Sequence, residues 1–214
     1  QQAAKGATAG DQKDKKDAAA ALEPLDAILA RLSRKQDGGH APTAADVKLV
    51  KEWAGTKLSA ALETAKQGAK SKQSELQKKE DLLQEAIDGC SVALNYASGI
   101  APLTKSLDAD LKLAAFVDDQ PMFDVLAPTL SNRSLAILTL LDSRKGPMSI
   151  ERGQQAAFDA RMCTRVKPKW EKGYYRLGKA YEALGEHKKA LDAYTTLQKL
   201  DPTNSDYKEL VLKA

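Results

Sequence analysis

Pro168 and Pro202 stand thirty-four residues apart, and each closes an amphipathic, alanine-containing stretch. A unit of that length holds two helices and their turns. It is too thin to bury its own apolar face, so it must stack against neighbours. Between the two prolines, Trp170–Leu184 and Lys188–Leu200 carry apolar residues at spacings of three and four, with Gly185 between them. That is the period of a helix packing on a helix, and Gly185 permits the tight turn. Composition points the same way. Aromatic residues are 5% and charged residues 29%, with Ala, Lys, Leu, Glu and Gln abundant. These favour helix over strand. The expected fold is all-α, a solenoid of helical hairpins with an N-terminal helical extension.

The chain of 214 residues is long enough for a buried core. Residues 1–42 read as a flexible tail followed by a short amphipathic helix with Leu22, Leu25, Ile28, Leu29 and Leu32 on one stripe. Residues 43–126 read as a long helical segment opened by Thr43 and Asp46, with a possible divergent first repeat. Its seam is Leu62, Ala69, Leu76, Leu83 and Cys90, and a break is expected near Gly68 or Lys79–Asp81. Residues 103–126 hold two short apolar turns. From 127 to 214 the pattern is a repeat array. One helix opens at Pro128, a second runs over Gln154–Val166, two follow around Gly185, and Ser205–Lys213 is a cap.

Several function classes drop out. No eighteen-residue apolar stretch exists, so no membrane span is expected. There is no P-loop, GxGxxG, GxSxG, HExxH or CxxC, so the chain reads as non-catalytic, without cofactor or metal. Cys90 and Cys163 cannot build a disulfide framework and are expected as reduced core residues. His187 is expected to pack and not to ligate. The formal charge is +4, yet Arg161–Lys179 alone carries +6. Such a cluster suits an anion. Nucleic acid is not expected, because no reader fold accompanies it and its aromatics are explained by helix packing.

Residues 171–204, EKGYYRLGKAYEALGEHKKALDAYTTLQKLDPTN, resemble the tetratricopeptide repeat (TPR) through Tyr174, Leu177, Gly178, Tyr181, Gly185, Ala190, Tyr194 and Pro202. Leu130-Ser-Asn-Arg-Ser134 and Lys169–Arg176 resemble the co-chaperone, carboxylate-clamp class of these domains more narrowly. That resemblance implies an α-solenoid of the Hop-like type, a cytoplasmic setting, and a groove for the acidic EEVD-type C-terminus of a heat-shock chaperone. It assigns Asn132 to the second repeat and Lys172 and Arg176 to the third, with Tyr175 and Lys179 beside them. The first-repeat Lys and Asn are unmatched. Lys51 with Gly55, or Lys70 with Ser74, are the nearest by spacing. The alternative is a structural TPR subunit of a large assembly, an organelle or cytoskeletal one included, whose groove is filled by a neighbouring helix.

Overall fold

The structure, a computed structural model, describes residues 24–38, 43–66, 73–98, 120–143 and 150–214. Among them are eight helices and no strand: α1 (Leu25–Asp37), α2 (Ala44–Lys66), α3 (Gln73–Ser98), α4 (Gln120–Ser143), α5 (Ile150–Val166), α6 (Glu171–Ala183), α7 (His187–Leu200) and α8 (Ser205–Lys213). α2 packs on α3, α4 on α5 and α6 on α7, giving three hairpins. The hairpins stack in chain order, with α2 against α4 and α4 against α6. α1 packs on α2, and α8 closes the far end on α7.

Local chemistry sets the ends. Thr43 and Asp46 form a reciprocal capping box at the start of α2. The Asp46 amide donates to Thr43 Oγ1 at 3.3 Å and the Thr43 amide to Asp46 Oδ2 at 3.1 Å. Gly185 takes φ 71°, and the chain leaves α6 through paired bonds, Gly185 N to Glu182 O and Glu186 N to Tyr181 O, both 2.9 Å. Asn204 caps α8 by accepting from the Asp206 amide at 3.0 Å.

The expected break falls at Gly68, between α2 and α3. Lys79–Asp81 lies inside α3 and breaks nothing. α2 is thereby the first helix of the first hairpin, a partner that its sequence does not announce. The apolar turn expected at Met122–Leu126 and the helix expected to open at Pro128 are one helix: α4 starts at Gln120 and carries Pro128 inside it. It therefore crosses the expected 126/127 boundary. The call of a short helix at Leu107–Phe116 lies outside the described residues, as do the tail through residue 23 and Ala69. His187 is exposed as the first residue of α7, so it does not pack as expected. A helix start needs no aromatic there, because the α6–α7 contact is filled by Tyr194 instead.

Glycine sets how closely the helices approach. A Cβ on Gly178 would stand 2.2 Å from the Tyr194 ring, and one on Gly89 2.9 Å from Ala54 and Trp53. The core runs through the stack: Ile28, Leu32, Val47 and Val50 beside Cys90, Leu94, Leu130 and Met162; then Leu58, Leu83, Ile137 and Leu140; then Tyr194 and Leu197. At its centre lies a buried ion pair. Arg133 donates through Nε to Asp159 Oδ2 at 2.8 Å and through Nη2 to Oδ1 at 2.7 Å, and Nη1 reaches Ser91 Oγ at 3.1 Å. The two side chains are 1% and 0% exposed.

Asp159→Leu should lower unfolding stability by about 3–5 kcal/mol, because a guanidinium is left buried without its carboxylate. Arg133→Met combined with Asp159→Leu should lose much less. Denaturant titrations in which the double variant is the weaker one would refute the pairing. Gly178→Leu should destabilise by at least ~1–3 kcal/mol through overpacking against Tyr194. Lys179→Ala should move stability by less than about 0.5 kcal/mol. Equal melting-temperature losses would show that the seam is misplaced.

Candidate functional site

The first helices of the three hairpins, α2, α4 and α6, line one side of the stack. α4, in the middle, is almost wholly buried. Pro128, Asn132, Leu135 and Thr139, at steps of three and four, form a half-buried stripe along it. Asn132 is placed there by its neighbours. Ser131, Arg133 and Ser134 all turn into the core, and Ser134 Oγ donates to Ala156 O at 2.9 Å. With those three directions taken, the Asn132 amide is left on the open face, where it has no hydrogen-bond partner among the described residues.

On α6 the packing face holds Tyr174, Leu177 and Tyr181, and Gly173 and Gly178 sit where α5 and α7 come closest. Lys172, Arg176 and Lys179 follow at steps of four and three on the opposite side, with Tyr175 next to them. Lys172 is exposed and makes no ion pair among the described residues. Lys179 is engaged within its own helix, 2.7 Å from Glu182 Oε2. Arg176 lies over the Tyr175 ring at 5.3 Å, and its Nε is buried with no hydrogen-bond partner. Burial pulls its pKa down from the usual arginine range, and what opposes that pull comes from Tyr175 and Cys163, not from a carboxylate. A partly desolvated guanidinium without a carboxylate is a preformed anion site.

On α2, Lys51 is half-buried and makes no ion pair among the described residues. Gly55, one turn further on, faces Asn132: a Cβ there would lie 3.9 Å from Asn132 Nδ2. Of the two first-repeat candidates, Lys51 with Gly55 thus lies beside Asn132. Ser74 opens α3, the second helix of that hairpin, and Lys70 lies outside the described residues. What sequence reasoning missed was the role of Arg133, read only as part of a phrase. The one available signal was Asp159, an acidic residue at a helical position otherwise surrounded by Ala156, Ala157 and Ala160.

The remaining cations of the basic segment are mostly taken up in structure. Lys167 pairs with Asp124 at 2.5 Å, and Arg161 lies 5.8 Å over the Phe158 ring. Among the described residues no group of His, Cys, Asp and Glu is arranged to hold a metal, and no helix is long and apolar enough to cross a membrane. Cys90 and Cys163 are buried free thiols, and desolvation pushes both up to about 12.

The class of architecture is a short helical-repeat array, and comparison with known proteins gives the particular one. The tetratricopeptide repeat family model matches residues 171–204. Over 78 residues the chain is 40% identical to the "Hsp70-Hsp90 organizing protein" of Triticum aestivum, spanning 36% of this chain and 12% of that protein. Over 61 residues it is 38% identical to the "Heat shock protein STI1" of Saccharomyces cerevisiae, 28% of this chain and 10% of that one. The matched part thus spans about a tenth of these curated relatives. This is a TPR protein that resembles the Hop-like co-chaperone class.

Because the thiolate is the reactive form, neither cysteine should react with an aromatic disulfide reagent in the native chain at pH 8. Both should react on unfolding in guanidinium. Rapid labelling of either thiol in the folded protein would contradict its burial.

Proposed function

We propose that this chain is a non-catalytic adaptor whose groove takes an acidic C-terminal peptide, of the EEVD type carried by heat-shock chaperones. The observation that carries the reading is Arg176, a guanidinium held away from water with Nε unpaired and no carboxylate beside it. In this reading Arg176 forks onto a carboxylate of the peptide terminus. Lys172, one turn earlier, adds a point charge. The Asn132 amide holds the peptide main chain extended, donating to a carbonyl and accepting from an amide. Tyr175 keeps the guanidinium in place through its ring, and Lys179, tied to Glu182, borders the site. Lys51 of α2 adds a further cation on the far side of Asn132. The similarity to the organizing protein and STI1 supports the reading, and a cytosolic setting would follow from it.

Calorimetry with a peptide ending Glu-Glu-Val-Asp should give saturable binding at micromolar strength. Arg176→Ala should weaken it by roughly 10- to 150-fold, the equivalent of ~1.5–3 kcal/mol for a charge-assisted bond. A wild-type chain that gives no saturation would remove this function. It would leave the alternative, a structural subunit whose groove is filled by a neighbouring helix.

A further inference from the structure

A glycine inside a helix gives up helix propensity and side-chain packing. Three of the helical glycines in this array have their reason within the fold. A Cβ at Gly178 would collide with Tyr194 at 2.2 Å, one at Gly89 with Trp53 and Ala54 at 2.9 Å, and one at Gly173 would press on Thr164 at 3.2 Å and Cys163 at 3.3 Å. Gly55 has no such reason. It sits well inside α2, and a Cβ there would meet only Asn132 Nδ2, at the ordinary contact distance of 3.9 Å. Its φ is not in the left-handed region either. Neither packing nor backbone conformation of the described chain asks for glycine at 55.

What glycine does at 55 is keep a recess open. The recess has the α2 backbone as its floor and the Asn132 amide on one side, with Lys51 one turn back along α2. We propose that Gly55 is a specificity-determining position. In this assignment, a side chain of the bound acidic peptide enters the recess beside Asn132 and rests on the α2 backbone, space that any larger residue at 55 would occupy. The inference rests on the peptide-binding reading above and adds a requirement to it: the peptide must present a side chain to α2 while Arg176 holds its carboxylate. Glycine is the residue that lets a ligand approach a helix backbone this closely.

The test uses the full chain, the Glu-Glu-Val-Asp peptide, and the variants Gly55→Gln and Gly55→Leu. Both residues are good helix formers placed in open space, so both variants should melt at or above the wild-type temperature. Both should bind the peptide at least tenfold more weakly. Arg176→Ala serves as the separate control on the carboxylate site. If Arg176→Ala weakens binding while either folded Gly55 variant keeps the wild-type Kd, the recess assignment is overturned and the carboxylate reading stands. If the wild-type chain does not bind the peptide at all, both fall. A rise in melting temperature together with a loss of affinity is the supporting result, because a glycine kept for internal packing would give the opposite change in stability.

Discussion

The buried pair of Arg133 and Asp159 is the interaction on which the arrangement of this array rests. Taking two charges out of water is costly, and their attraction offsets that cost only when the geometry is good and the remaining donors are satisfied. Both conditions are met: the contact is two-pronged and Ser91 takes a further donor. Arg133 belongs to α4, Asp159 to α5 and Ser91 to α3, so one cluster joins the second hairpin internally and fastens it to the first. A shift of one residue along α4 would bury the guanidinium without its acid, so the cluster fixes the register of that helix. The same constraint positions the groove. Asn132 precedes Arg133 by about 100° of helical rotation, and with Arg133 locked inward it must face the open side.

This explains how much of the fold was legible in the sequence. The third hairpin was readable because each signature residue answers a local need: Gly178 for the Tyr194 crossing, Gly185 for the left-handed turn, Pro202 for the stop. The all-α class followed from the three-and-four spacing alone. The first hairpin was only half legible. Its second helix shows small residues at Ala86 and Cys90, but in α2 the close approach is made by Trp53 and Ala54 against Gly89 of α3. The small residue therefore sits on the opposite helix from the one in the third hairpin, and a pattern search cannot see the equivalence. α4 was split in the sequence reading because proline normally ends a helix. Burial on nearly every side of α4 outweighs one lost backbone bond.

The candidate site was legible in its residues and not in its state. Spacing put Lys172 and Arg176 on one face and set Asn132 apart, and those placements are what the helices adopt. Sequence could not distinguish a solvated cation from a desolvated one. Lys172 is exposed, whereas Arg176 is drawn against Tyr175 with Nε buried. That difference arises from the tertiary stack: α6 is set down on α5 through Gly173, close to Cys163, and the approach shields Arg176 from water. Nor could sequence separate Lys179, which shares the stripe, from its neighbours; Glu182, three residues on, claims it.

The two third-hairpin cations therefore contribute differently to any anion that binds. An exposed ammonium such as Lys172 attracts at a distance, and its attraction is screened over about 8–10 Å at ordinary salt. A sheltered guanidinium acts only at contact, but it acts in a lower dielectric and is screened far less. Most of its desolvation cost is already met in the free protein, because the fold and the Tyr175 ring hold the group in place before any ligand arrives. The long-range attraction and the short-range grip thus reside on separate residues one helical turn apart. Asn132, uncharged and fixed from behind by the Arg133 cluster, adds direction without adding charge. The consequence is a groove whose encounter rate depends on salt mainly through Lys172, while the lifetime of what it holds depends on Arg176 and on the geometry that Asp159 maintains.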